Sequence, residues 1–116
     1  MKLIDEYPEK PELLGGYAMN LTDGIFRLRY RNGWERGAFA NEGDVYMIRI
    51  EAFDTCNLFA KGHRIRVDIS SSNYPHYDIS PNTGNPLGDM SDATVSSNTV
   101  YCNCRQPSRV LLNVAA

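Results

Sequence analysis

Short stretches in which apolar and polar side chains alternate are the feature that most constrains the fold of this chain. From Val45 to Phe53 and from His63 to Ser72, apolar residues take every second position, and mostly charged or polar residues lie between them. A period of two places the apolar side chains on one face of a β-strand. No stretch of about 11 residues or more repeats its apolar residues with the spacing of an amphipathic helix. The sequence therefore predicts an all-β protein.

Six strands are predicted, three from alternation over Ile25–Arg31, Val45–Phe53 and His63–Ser72 and three more from β-strand propensity, and glycine-containing turns such as Asn32-Gly33 and Lys61-Gly62 separate strand-like stretches. Several short strands punctuated by turns are typical of a β-sandwich. A length of 116 residues suits one domain, so we expect residues 1–116 to form a single sandwich. The predicted strands are Lys2–Tyr7, Ile25–Arg31, Val45–Phe53, His63–Ser72, Thr94–Cys102 and Arg109–Val114.

Charge and composition argue against two classes of partner. Lys and Arg number 12 against 14 Asp and Glu, and a net charge of -2 offers no broad attraction for nucleic acid or anionic lipid. No apolar stretch approaches the roughly 20 residues of a membrane helix, and the acidic N-terminus is unlike a signal peptide. Cys56, Cys102 and Cys104 are an odd, sparse set that suits a reducing compartment. We expect a soluble, cytoplasmic protein that binds neither nucleic acid nor membrane.

The segment from Asn73 to Asp92 is the most informative loop, because it holds three prolines and no strand pattern. A connection of this length is usually either a binding loop or a packed surface loop. Its aromatic residues could face a sugar or a peptide, while its Asp, Asn and Ser side chains are typical of turns held by local hydrogen bonds. Packing of the loop is the favoured interpretation. The candidate ligand or interface residues are Asn73, Tyr74, His76, Tyr77, Asp78 and Asn82.

Residues for catalysis and for metal binding are not apparent in the sequence. There is no G-x-S-x-G nucleophile motif, and neither His63 nor His76 accompanies a recognisable nucleophile. The cysteines and histidines lack the spacing of a zinc site, and the acidic loop residues match a calcium loop poorly. The residues by themselves predict a β-domain with no catalytic residue, no metal and no cofactor.

Two long motifs resemble one known family. Residues 62–84, GHRIRVDISSSNYPHYDISPNTG, and residues 20–31, NLTDGIFRLRYR, are similar to the C-terminal β-domain of the X-prolyl dipeptidyl peptidase and cocaine esterase family of α/β-hydrolases. Residues 54–60, DTCNLFA, and residues 107–114, PSRVLLNV, extend the resemblance over nearly the whole chain.

The resemblance implies a jelly-roll, galactose-binding-like sandwich that packs against a catalytic domain and helps to shape the surroundings of its active site. The catalytic Ser, Asp and His of such enzymes belong to the hydrolase domain, so the resemblance carries no catalytic residue onto this chain. The match begins in the middle of the family's domain, and we expect the chain to be covered by an α/β-hydrolase domain or by self-association. Two alternatives are a free-standing module that binds carbohydrate or peptide through residues 73–92 and a homodimerising interaction protein.

Overall fold

A computed structural model of the protein describes residues 1–9, 16–86 and 88–115. The chain forms two compact units, residues 1–70 and residues 71–116. The regular structure of the described residues lies in the first unit. It consists of strands β1 (Lys2–Glu6), β2 (Ala18–Asp23) and β3 (Arg64–Asp68) and a short 3₁₀ helix, Leu28–Tyr30.

The three strands form one antiparallel sheet in the order β2-β1-β3. Together with the near absence of helix among the described residues, this sheet confirms the prediction of an all-β protein and is consistent with an incomplete sandwich. None of the described helices is long and apolar enough to cross a membrane.

β1 is the central strand, and it carries the small core of the first unit. Leu3, Ile4 and Asp5 are buried, and Leu3 lies opposite Thr22 of β2 and Val67 of β3. The register of β1 against β2 shifts between Leu3 and Ile4, as a β-bulge requires. Reciprocal hydrogen bonds of 3.0 Å between the backbone groups of Met1 and Gly24 extend this pairing beyond the strand ends.

The segment around Phe53 covers one end of the sheet. The Thr22 hydroxyl donates to the Phe53 carbonyl oxygen at 2.7 Å, and the Phe53 amide donates to the Asp23 carbonyl oxygen at 3.1 Å. Gly24 lies so close to the Glu51 carbonyl group that a Cβ there would clash with its oxygen. This approach fixes the turn after β2 as a place where only glycine fits without movement of the backbone.

Two of the predicted strands are confirmed in the structure. The predicted strand Lys2–Tyr7 is β1, and the predicted strand His63–Ser72 contains β3. β2 was not predicted, because its sequence AMNLTD lacks a clean alternation of apolar and polar residues. Its strand conformation comes from pairing with β1, a contact that a local pattern does not encode.

The prediction of a strand over Ile25–Arg31 was wrong, because this segment turns into the 3₁₀ helix. The Arg31 guanidinium donates to three backbone carbonyl oxygens, those of Leu28, Ala38 and Phe39. These local bonds satisfy carbonyl groups that a strand would direct to a neighbouring strand. The Arg31 guanidinium also lies over the ring of Tyr46, with its Cζ atom 4.5 Å from the ring centroid.

The predicted strands Val45–Phe53, Thr94–Cys102 and Arg109–Val114 were also wrong, since all three segments are irregular. Alternation indicates which side chains can share a face, but a strand also needs a paired backbone on at least one side. In the second unit the described residues form turns, bends and segments without regular secondary structure, and apolar side chains such as Val95 and Leu111 are exposed.

Candidate functional site

The predicted loop residues lie in the second unit, and their aromatic rings do not form a single platform in the contacts described. The Tyr77 amide donates to the Asn73 carbonyl oxygen at 3.1 Å, which closes a turn around Tyr74 and His76. The rings of His76 and Tyr77 meet edge to face with centroids 4.5 Å apart. Tyr74 is 69% exposed, and Asp78 is exposed as well. The structure therefore leaves the Tyr74 ring accessible while the His76 and Tyr77 rings contact each other.

Asn82 holds the middle of the loop in place. It adopts a left-handed backbone conformation with φ of 56°, and its side-chain amide donates to the Thr94 carbonyl oxygen at 2.8 Å. The Thr94 amide in turn donates to the carbonyl oxygen of the buried Pro81 at 3.0 Å. These bonds give Asn82 the turn-holding role that its residue type favours.

Asp89 shows the same use of polar side chains farther along the loop. It accepts hydrogen bonds from the hydroxyl and the backbone amide of Ser91, at 2.7 and 3.0 Å. These two bonds hold the pKa of the Asp89 carboxyl below its usual value. Asp89 is thus engaged in a turn, and no group of three or more metal-ligating side chains occurs among the described residues.

The sequence did not reveal a polar cluster in the first unit, in which His63, Asn57 and Tyr7 surround the buried carboxylate of Asp5. Asp5 is 2% exposed and lies in the central strand. Its carboxylate accepts hydrogen bonds from His63 Nδ1 at 2.8 Å and from Asn57 Nδ2 at 3.2 Å. The Tyr7 ring lies against the imidazole with centroids 4.2 Å apart. Because an ionised carboxylate only accepts hydrogen bonds, Nδ1 is the protonated nitrogen of this imidazole.

The Asp5 cluster resembles the orienting half of a catalytic triad, but its contacts are structural. The Tyr7 hydroxyl is directed to Met19 Sδ at 3.9 Å rather than to the imidazole, and no serine or cysteine contacts His63 in the described hydrogen bonds. A histidine without a nucleophile cannot begin acyl transfer. The cluster joins β1 to the segment that precedes β3, across 58 positions of sequence. The sequence did not indicate this cluster, because Asp5 and His63 are far apart along the chain and neither belongs to a local motif.

Exposed apolar side chains are the more prominent functional feature of the first unit. Met47 is 99% exposed, and Trp34, Phe53 and Leu58 are also largely exposed. Large apolar side chains exposed in this number are typical of surfaces that contact another protein. The three cysteines are free and exposed. These exposed apolar side chains are the feature of the first unit that suits contact with another protein.

Comparison with known proteins shows the family of the chain. The family model for the X-Pro dipeptidyl-peptidase C-terminal non-catalytic domain matches residues 1–111. A cocaine esterase from Rhodococcus sp. (strain MB1 Bresler) is 34% identical over 115 residues, which cover 97% of this chain and 19% of the esterase. The chain thus spans about one fifth of the length of this relative. No solved structure matches the chain.

Proposed function

Because the chain belongs to the family of X-Pro dipeptidyl-peptidase C-terminal non-catalytic domains, we propose that it is the non-catalytic β-sandwich module of a serine hydrolase. The module contributes structure and substrate access, while a separate α/β-hydrolase domain supplies the catalytic Ser, Asp and His. Acyl esters or X-Pro peptides are the proposed substrates of the assembled enzyme. The similarity to a cocaine esterase and the family match support this class of reaction. The three free thiols support the cytoplasm as its location.

The single observation that carries the docking role is the amount of exposed surface. The chain exposes 10028 Å². Two separate compact bodies that shared its mass would expose about 7,700 Å². The difference is comparable to one side of an obligate interface, which buries roughly 1,000 to 2,500 Å² per partner. Coverage by another domain would remove much of this surface from water.

We propose that residues 1–116 form one jelly-roll, galactose-binding-like sandwich when they are covered in this way. The antiparallel sheet β2-β1-β3 would be one part of that sandwich.

Met47 provides a sharp test of docking, because its side chain is almost fully exposed in the isolated chain. Met47→Glu should leave the thermal midpoint of the isolated chain unchanged. In the full hydrolase the same substitution should lower stability, since burial of a methionine side chain contributes about 1.5 to 3 kcal/mol. Differential scanning fluorimetry of both forms checks this, and equal effects in the two forms would contradict docking through this segment.

The hydrolase domain itself can be sought in the coding DNA. The sequence upstream of Met1 is expected to continue in frame into a hydrolase domain with a G-x-S-x-x-G motif, or to lie beside a gene that encodes one. Absence of any such domain from the organism that carries this chain would overturn the proposed function.

A second candidate function is recognition of a carbohydrate or peptide by residues 73–92, and the exposed ring of Tyr74 favours it. We propose Asn73, Tyr74, His76, Tyr77, Asp78 and Asn82 as its contact residues. A ligand from a sugar and X-Pro peptide panel should raise the thermal midpoint of the wild-type chain but not that of Tyr74→Ala. A panel that shifts neither protein would reject this function.

A further inference from the structure

Two cysteines, Cys102 and Cys104, lie in one short loop of the second unit. Both thiols are free and exposed. The loop is closed at its ends, where the hydroxyl and the backbone amide of Ser108 donate to the Tyr101 carbonyl oxygen at 2.6 and 3.2 Å. Among the described residues, neither thiol takes part in the hydrogen bonds that hold this loop. The thiols are therefore accessible to reagents in solution, and their oxidation breaks none of these bonds.

The backbone bends at the residue that separates the two cysteines. The side-chain oxygen of Asn103 accepts hydrogen bonds from the backbone amides of Arg105 and Gln106, at 2.9 Å each, and the chain bends over residues 103–106. Consecutive Cα atoms are about 3.8 Å apart, so those of Cys102 and Cys104 are at most about 7.6 Å apart, and the bend shortens this separation. A disulfide joins Cα atoms about 4.4 to 6.8 Å apart. The two thiols are thus placed to form a disulfide within the loop.

A surface cavity beside the bend combines one of these thiols with a positive charge. The described residues that line it are Asn103, Cys104, Arg105 and Gln106. A guanidinium binds a carboxylate through two parallel hydrogen bonds. Small disulfides such as glutathione disulfide carry carboxylates, so their charge suits this cavity. Cys104 lines the cavity and Cys102 does not, which makes Cys104 the thiol that meets such a disulfide first.

We propose that Cys102 and Cys104 form a thiol–disulfide exchange site for small disulfides that carry carboxylates, with Arg105 as the residue that binds the carboxylate. The Cys104 thiolate, which has given its proton to water, attacks one sulfur of glutathione disulfide. A mixed disulfide forms, the S–S bond of the reagent breaks, and the glutathione thiolate that leaves takes up a proton.

Cys102 completes the exchange. Its thiolate attacks Cys104 Sγ, the bond from Cys104 to glutathione breaks, and the second glutathione leaves and is protonated. The two cysteine thiols are oxidised to one disulfide, and glutathione disulfide is reduced to two glutathione molecules. Because strained or exposed disulfides are readily reduced, an excess of glutathione reverses the reaction. This proposal concerns the thiols alone and does not depend on docking to a hydrolase domain.

Mass spectrometry of the full chain after reaction with glutathione disulfide and an acid quench tests the proposal. Cys56→Ser removes the third exposed thiol and leaves only the pair in the loop. This variant should lose two hydrogen atoms and retain no glutathione. With Cys102→Ser added, the reaction should stop with one glutathione bound to Cys104, because the thiol that releases it is missing. The matched control is the double variant Cys102→Ser, Cys104→Ser, in which the lone Cys56 should react more slowly than Cys104.

The role of Arg105 is tested by the charge of the reagent. Arg105→Gln should slow the reaction with glutathione disulfide about two- to fivefold, as expected for loss of one exposed charge pair, and should not change the rate with the neutral bis(2-hydroxyethyl) disulfide. Arg109→Gln removes the same charge from a residue that does not line the cavity, and it should react at the wild-type rate.

Three results would refute the proposal. The first is a Cys56→Ser chain that keeps glutathione bound or forms a disulfide with a second chain. The second is a lone Cys56 that reacts as fast as Cys104. The third is an Arg105→Gln chain whose rate with glutathione disulfide is unchanged.

Discussion

Removal of the Asp5 carboxylate is the perturbation for which the structure predicts the largest single effect on stability. Asp5 is 2% exposed, and it accepts hydrogen bonds from His63 and from Asn57. The side chain of His63 is itself 13% exposed, so its Nδ1–H group has little access to water when its acceptor is lost. Asn57 is exposed, and its amide can turn to water. The effect of Asp5→Ala therefore comes mainly from the histidine.

The size of this destabilisation follows from the exposures of His63 and Asn57. A hydrogen bond to a charged group contributes about 1.5 to 3 kcal/mol, and an unsatisfied buried donor costs a similar amount. The exposed Asn57 adds about 0.5 kcal/mol at the low end of ordinary hydrogen bonds. Asp5→Ala should therefore lower the free energy of unfolding by about 3 kcal/mol, a large share of the 5 to 15 kcal/mol typical of a folded domain. Asn57→Ala should cost less than about 1 kcal/mol.

Urea unfolding followed by circular dichroism measures these differences. Asp44 provides the matched control, because its carboxylate also accepts two side-chain hydrogen bonds, from Asn41 and Tyr46 at 2.9 Å each. Asp44 is exposed, so Asp44→Ala should leave the unfolding midpoint almost unchanged. If Asp5→Ala changed the unfolding midpoint as little as Asp44→Ala, the hydrogen bonds of the Asp5 carboxylate would not stabilise this fold. The reasoning would then be refuted.

Three further outcomes are expected. Gly24→Ala should destabilise the chain by about 1 to 3 kcal/mol in urea unfolding, because its Cβ meets a backbone carbonyl oxygen, whereas Gly37→Ala makes only ordinary contacts and serves as the control. The hydrogen bond from Asn41 is the largest of the causes that lower the pKa of Asp44, so the stabilisation it contributes is present above the ordinary pKa of an aspartate and is lost as pH falls through the lowered pKa of Asp44. NMR titration should therefore show a higher Asp44 titration midpoint in Asn41→Ala. An unchanged midpoint would contradict this role of Asn41. Asn82→Ala should accelerate proteolysis of the loop more than Asn82→Gly, since both lose the side-chain bond but only alanine strains the left-handed backbone; equal rates would exclude that strain.

The parts of the fold that could be predicted are those with local causes. Alternation identified β3, β-strand propensity identified β1, and the absence of helical periodicity identified the all-β class. The same alternation failed at Ile25–Arg31, where one arginine side chain binds the carbonyl groups of its own neighbourhood and the backbone turns. β2 was missed for the opposite reason, because pairing with β1 imposes a conformation that its own residues do not signal.

The candidate sites divide in the same way. The turn chemistry of residues 73–92 was visible in the sequence, and the structure shows the turn-forming contacts of Asn82 and Asp89. The Asp5 cluster could not be predicted from the sequence, because its carboxylate and its imidazole are separated by 58 positions and neither belongs to a motif of fixed spacing. The position of β3 at one end of the described sheet was equally hidden, since only the order of the strands shows it.

The sequence by itself determined the class of the protein and its family, because backbone periodicity and long motifs are properties of neighbouring residues. Only the tertiary structure decided which alternating segments pair, which polar side chains are buried and which strands lie at the ends of the described sheet. Those outcomes depend on contacts between distant segments, which stabilise a strand or bury a carboxylate only when both partners are in place. In this chain many apolar side chains still lack such partners, and that is the physical basis for expecting another protein surface to complete the fold.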